Sequence, residues 1–231
     1  MTYSDYRRLG RENLADNWAK SIGVALVALL LGGLIGGTSV TPEINIHLKD
    51  QDISSLSDLL NLITASGLGF SLGLGSILGL VQFIMGGAVE LGYARYLLNQ
   101  YRHGDFELND LFSQFYRFGQ GFAQAFLRGL YTFLWALLFI IPGIVKSYAY
   151  AMTPYIMAVN PELTASEAIT ASKQMMDGHK ADLFVLELTF IGWDLLCALT
   201  LNIGYIVLNP YKAAARTAFY KSLTAQNRIY E

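Results

Sequence analysis

Apolar residues in this chain gather into long, nearly uncharged runs separated by short polar zones, and the clearest run extends from Leu127 to Val159. It reads LWALLFII at 134–141, meets Pro142-Gly143, and resumes as IVKSYAYAMTPYIMAV at 144–159. At about 1.5 Å of rise per residue, one unbroken helix of that length would far exceed the roughly 30 Å hydrocarbon core of a bilayer. Pro142-Gly143 is where the chain can turn back. The pattern therefore predicts two membrane-crossing helices, 119–141 and 143–159, joined by a hairpin turn.

The same reading extends along the chain. Residues 1–19 carry Tyr6, Leu9, Leu14 and Trp18 at near-helical spacing among arginines, which predicts an amphipathic helix lying on a membrane surface. A first span follows at 20–37. It resembles a signal peptide superficially, but it starts late, is glycine-rich and lacks a cleavage-type ending, so a retained helix is expected. Residues 38–66 are polar, with a short amphipathic helix at 54–63. The second span, 67–98, repeats glycines at a spacing of four (Gly69 and Gly73, Gly75 and Gly79). In a membrane such spacing lets helix backbones approach, as a packing face or along a substrate path. Residues 99–118 mix charges with phenylalanines, as an element at the headgroup level does.

Beyond the hairpin, Asn160-Pro161 ends the fourth span and Thr164-x-x-Glu167 opens a new helix, 165–177, in a capping-box pattern. That helix is polar and is expected to face the cytoplasm, with Gly178 as its stop. The remaining apolar stretch reads either as one crossing or as two, 182–199 and 204–223, turning near Asn202-Ile203-Gly204. Cations decide: with six spans, fourteen of the 16 lysines and arginines fall on the amino-terminal side of the membrane, leaving Lys49 and Lys146 opposite. The positive-inside rule then places both termini in the cytoplasm.

Composition agrees, with 53% hydrophobic residues, 15% charged and 22 glycines. A net charge of −2 argues against a nucleic-acid partner. The single cysteine, Cys197, excludes an internal disulfide and a cysteine-based metal cluster. The three histidines are scattered outside any metalloprotease pattern, and neither a nucleophile elbow nor a P-loop occurs. A D-x-D at 50–52 is a solvated loop more readily than a cation site. No enzyme activity, cofactor or metal is expected.

Ionisable groups inside spans are costly and become candidate functional residues once a partner is named. Depth along the spans groups Glu90, Glu187 and Arg216 at the inner level and pairs Asp194 with Lys146 at the outer. Such a set either fixes helix register or lines a cavity for a headgroup or solute. Tyr131, Trp135, Tyr148, Tyr150 and Tyr155 gather around the hairpin as interface anchors or ligand-lining rings. Pro154 and Pro210 are expected to kink their helices, as broken helices at transporter sites do.

Several stretches resemble a bacterial family of integral membrane proteins, the domain-of-unknown-function 975 family. They are LWALLFIIPGIVKSYAYAMTPYI at 134–156, SEAITASKQMMDGHKADLF at 166–184, FIGWDLL at 190–196, NPYKAAARTAFY at 209–220 and the opening YRRLGRENLADNW. The family is similar in turn to the membrane domain fused to some glycerophosphodiester phosphodiesterases, which implies lipid or envelope metabolism by analogy. The expectation is a single all-α domain over 1–231 in a bacterial inner membrane, with six transmembrane helices, an amphipathic amino-terminal helix and a cytoplasmic helix between the fourth and fifth. Its expected partners are the lipid bilayer and a lipid-like or small amphipathic ligand that it binds or moves. The alternative is a non-catalytic scaffold or regulatory subunit that docks a membrane protein or a second copy of itself.

Overall fold

The computed structural model describes residues 2–15, 17–32, 68–102, 107–200 and 203–226. Among them every regular element is helical. The segments 38–66 and 201–202, with the D-x-D and the expected helix at 54–63, lie outside the described residues.

Helix α1 (Tyr3–Leu14) begins where the Asp5 carboxylate accepts from the Thr2 backbone N–H at 2.8 Å, a capping box that satisfies a free donor. Its apolar face, expected to lie on a membrane surface, packs into the protein. Tyr6 and Leu14 are buried in the main core, and Leu9 packs against it. The partner is the carboxy-terminal helix: the Tyr6 ring meets Phe219 edge-on at 5.4 Å, and its hydroxyl lies 2.9 Å from Ser222 Oγ. A Cβ on Gly10 would come within 3.0 Å of the Ala215 backbone, so the glycine lets the two helices touch.

Helix α2 (Trp18–Leu30) ends at Gly32, whose φ of 78° favours glycine. It runs against α3 (Leu68–Tyr101), a 34-residue helix about 50 Å long by its rise per residue. The carboxy-terminal half of α3 is the spine of the core, with Val89, Leu91, Tyr93, Ala94, Tyr96 and Leu97 all buried. Gly69 to Gly79 lie in its other half, where packing falls outside the described side chains. Close approach is made instead by Gly87, where a Cβ would sit 2.2 Å from the Gly121 carbonyl oxygen, and by Gly92, where it would sit 1.8 Å from that of Leu111.

A short helix α4 (Leu108–Phe112) and a tight turn at Phe115–Arg117 lead into α5 (Phe118–Leu138). The turn after α5 is at Phe139, extended at φ −156° and ψ 141°, three residues before the expected site at Pro142-Gly143. Pro142 lies in the first turn of α6 (Ile140–Ala149), where its missing N–H costs nothing because the first amides of a helix have no intrahelical acceptor. Gly143 packs there against Ala136, at 2.7 Å from a built Cβ, and so sets the close spacing of α5 and α6.

The expected span 143–159 is two helices, α6 and α7 (Thr153–Val159), with a break at 150–152. Pro154 begins α7 rather than kinking a longer helix. The break is buried, and its backbone groups need partners. Ser172 of α8 (Ala165–Met175) supplies them: its hydroxyl donates to the Ala149 carbonyl at 2.9 Å and accepts from the Met152 N–H at 3.2 Å. Helix α8 is therefore not a free polar helix. Ala165, Ala168, Ile169, Ser172 and Met175 form a buried face. The capping box read from the sequence is present, with the Glu167 carboxylate accepting from the Thr164 N–H at 2.8 Å.

The expected span 182–199 is likewise divided, into α9 (Lys180–Leu188) and α10 (Ile191–Leu199). Helix α11 (Tyr205–Gln226) passes through Pro210 without interruption. Among the described residues no helix is long and apolar enough to cross a membrane. The reason is visible in the elements: two expected spans are broken, and α5 carries Gln120, Gln124 and Arg128.

Two predictions follow from the helix contacts. Gly87→Ala should lower stability by about 1–3 kcal/mol through overpacking against α5. Gly129→Ala, with nothing within 4 Å of its Cβ on that same helix, should raise stability by up to about 1 kcal/mol; denaturant unfolding of the purified variants reads both signs. Hydrogen bonds from Thr164 hold the Glu167 carboxyl below its ordinary range. Its contribution is present above the unfolded carboxyl range, near 4.3, and lost as pH falls through the lower folded value. Hydrogen exchange at the start of α8 should accelerate over that acid window, and Glu167→Gln should flatten the dependence.

Candidate functional site

Three ion pairs among the described residues each bridge two helices. Glu90 of α3 is 5% exposed and accepts from Arg128 Nη2 at 2.7 and 2.8 Å and from Gln124 Nε2 at 3.0 Å, both from α5. Gln124 is fully buried, and its amide oxygen has no hydrogen-bond partner among the described residues. Glu187 of α9 pairs with Arg216 of α11 and accepts from the Tyr148 hydroxyl of α6 at 2.7 Å. Asp194 of α10 receives Lys212 Nζ of α11 at 2.5 Å.

Of the grouping expected from depth, Glu187 and Arg216 meet, while Glu90 turns to Arg128. Asp194 turns to Lys212 and not to Lys146. The physical reason is the turn at Ile203-Gly204, which brings α11 back beside α9 and α10 and so carries Lys212 to Asp194 and Arg216 to Glu187. Arg128, which falls within the expected span 119–141, is the partner that Glu90 takes. Its signal was present: Gln124 and Arg128 are four residues apart, so both lie on one face of α5. Lys146 stands over the Trp135 ring, 4.6 Å from its centroid, and shares a cleft with Lys173 and Lys180. The expected separation of Lys146 from those two cations across a membrane is thus not what the fold shows.

A second feature is an apolar groove of about 420 Å³ lined by Trp18, Trp193, Leu196, Cys197 and Leu208, with the Arg11 side chain at its wall. Helices α1, α2, α10 and α11 all contribute to it. Cys197 is 6% exposed. Among the described residues no group of three histidines, cysteines or acids could hold a metal ion.

These features define an all-helical protein, among the described residues, with ion pairs bridging its helices and an apolar groove beside them. Residues 137–227 match the family described as "Protein of unknown function (DUF975)", which supports the resemblance over α6 to α11. The opening segment YRRLGRENLADNW lies outside that match, and the likeness to phosphodiesterase membrane domains has no counterpart in it. No curated protein and no solved structure matches the chain.

Removing one partner of the most buried pair should be costly. Arg128→Met is expected to destabilise by roughly 3 kcal/mol by leaving the Glu90 carboxylate unpaired, and Glu90→Gln in the same chain should recover most of it. The more exposed Asp194–Lys212 pair should show a coupling nearer 1 kcal/mol in a double-mutant cycle.

Proposed function

We propose that this chain is an integral membrane protein that binds or moves a lipid-like or small amphipathic molecule through the groove between α1, α2, α10 and α11. The groove carries the reading. Its volume lies in the range of small-molecule sites, about 300–1,000 Å³. Apolar side chains line it, and one guanidinium, from Arg11, stands at its wall with no ion pair among the described residues. An alkyl chain in the groove with an anionic or zwitterionic head at Arg11 satisfies both halves.

Membrane insertion is part of the proposal, with the α5–α6 hairpin and α10 as the inserted segments; the cleft that joins Lys146 to Lys173 and Lys180 departs from the six-span plan. Its support is the exposure of large apolar side chains: Leu137, Phe139 and Ile141 on the α5–α6 hairpin are 73%, 68% and 75% exposed, and Leu195 and Leu199 on α10 are 66% and 74% exposed. Patches of this kind on a lone surface in water would drive association. The breaks within α6–α7 and α9–α10 are compatible with a bilayer because their freed backbone groups find side-chain partners, Ser172 at the first and Thr189 at the second.

Cys197 provides the test, since it is the only cysteine and lines the groove. In lipid nanodiscs, a single-chain anionic amphiphile such as dodecyl phosphate should slow its modification by a small thiosulfonate about fivefold or more. Leu208→Trp, which fills the groove, and Arg11→Gln should both weaken that protection. A modification rate indifferent to the amphiphile, with unchanged native mass spectra, would remove the groove from the function.

A further inference from the structure

The geometry points to a second site, one that binds a phosphate-type anion in the cleft where Lys146, Lys173 and Lys180 converge. The cleft has a volume of about 290 Å³ and is completed by Val145, Gln174 and Asp177. Its three lysines come from three different elements: Lys146 from α6, Lys173 from α8 and Lys180 from the first position of α9. It lies wholly within the stretch 137–227 that matches the family.

Charge bookkeeping within the cleft is unequal. Asp177 is the one acid in the wall, and it pairs with Lys180 at 3.2 Å. Lys146 and Lys173 have no carboxylate within ion-pair distance among the described residues, so the cleft keeps an excess of two positive charges. Bringing like charges around one concavity is unfavourable, and an anion seated between them reverses the sign of the interaction.

Two further placements fit an anion and not a merely solvated face. Lys180 occupies the first position of α9, where the helix dipole and free amides disfavour a cation and favour an anion. Lys146 is fixed over the Trp135 ring at 4.6 Å, so its ammonium is positioned rather than waving in solvent. The tight approach to α9 is made by Gly178, at φ 79°. A doubly charged phosphate matches two unpaired ammoniums, and charge-assisted hydrogen bonds from each supply the affinity.

A free phosphate and the head of an anionic phospholipid share this chemistry. The lipid source is geometrically open, because Val145 and Ile144 beside the cleft are exposed apolar residues of the α5–α6 hairpin. The site is independent of the groove at Cys197, so either can fail without the other.

The test uses the full chain with Trp18→Phe and Trp193→Phe, leaving Trp135 beneath Lys146 as the fluorescent reporter. In neutral detergent it is titrated with inorganic phosphate. In parallel it is reconstituted into phosphatidylcholine vesicles and into equimolar phosphatidylcholine and phosphatidylglycerol vesicles. A saturable Trp135 signal is expected with phosphate, with the anionic vesicles, or with both, and these outcomes assign the anion to solution, to lipid, or to either source. Lys146→Gln would alter the reporter itself, so the decisive variants are Lys173→Gln, expected to weaken binding about tenfold, and Lys173→Arg, expected to retain it. Arg8→Gln, at a surface pair away from the cleft, should change nothing. No saturable signal, or equal affinity in wild type and Lys173→Gln with both folded by thermal melts, would overturn the proposal.

Discussion

The contact between α3 and α5 at Gly87 and Gly121 is the constraint on which the rest of the bundle depends. Only when both positions lack a side chain can the two backbones come together as they do. One turn further along α3, and one and two turns further along α5, that closeness brings Gln124 and Arg128 to the Glu90 carboxylate, which would otherwise be an unpaired charge in the core. Steric permission and charge neutralisation are thus successive consequences of one crossing. Tyr93 and Leu91 on the same helix then fill the interior that this crossing closes.

Around that axis the chain solves the same problem twice in different ways. Each of the two apolar segments 140–159 and 180–199 is a pair of short helices, and every break exposes backbone groups that must be satisfied. At the first, the solution comes from outside: α8 lends Ser172. At the second it is local, with the Thr189 hydroxyl donating to the Leu186 carbonyl at 2.7 Å. The first break is therefore coupled to the placement of α8, and with it to Lys173. The second leaves α10 tied chiefly to α11 through Asp194 and Lys212.

The all-helical class and most helix positions were legible in the sequence because periodic apolar runs and capping signals are local. Thr164-x-x-Glu167 fixed the start of α8, and the chain does turn back beside Pro142. What was not legible depended on partners distant in sequence. Nothing near Tyr6 and Leu14 says that α11 will cover them, so their face read as a membrane surface face. The breaks at 150–152 and 189–190 escaped notice because apolar residues run through both, and the hydrogen bonds that permit them come from side chains of ordinary composition. The charge pairs were half legible. Depth grouped Glu187 with Arg216, but register across the antiparallel turns was needed to see that Glu90 belongs to Arg128 and Asp194 to Lys212.

The union of α1 with α11 has a consequence in time. Tyr6 and Ser222 are separated by 216 residues, yet they close the bundle together. At about 5–20 residues per second of synthesis, the first helix waits roughly 10–40 s for its partner. Through that interval its apolar face needs a temporary resting place, and a nearby lipid surface is well suited to an amphipathic helix. The seam between α1 and α11 can therefore close only after α11 has been made.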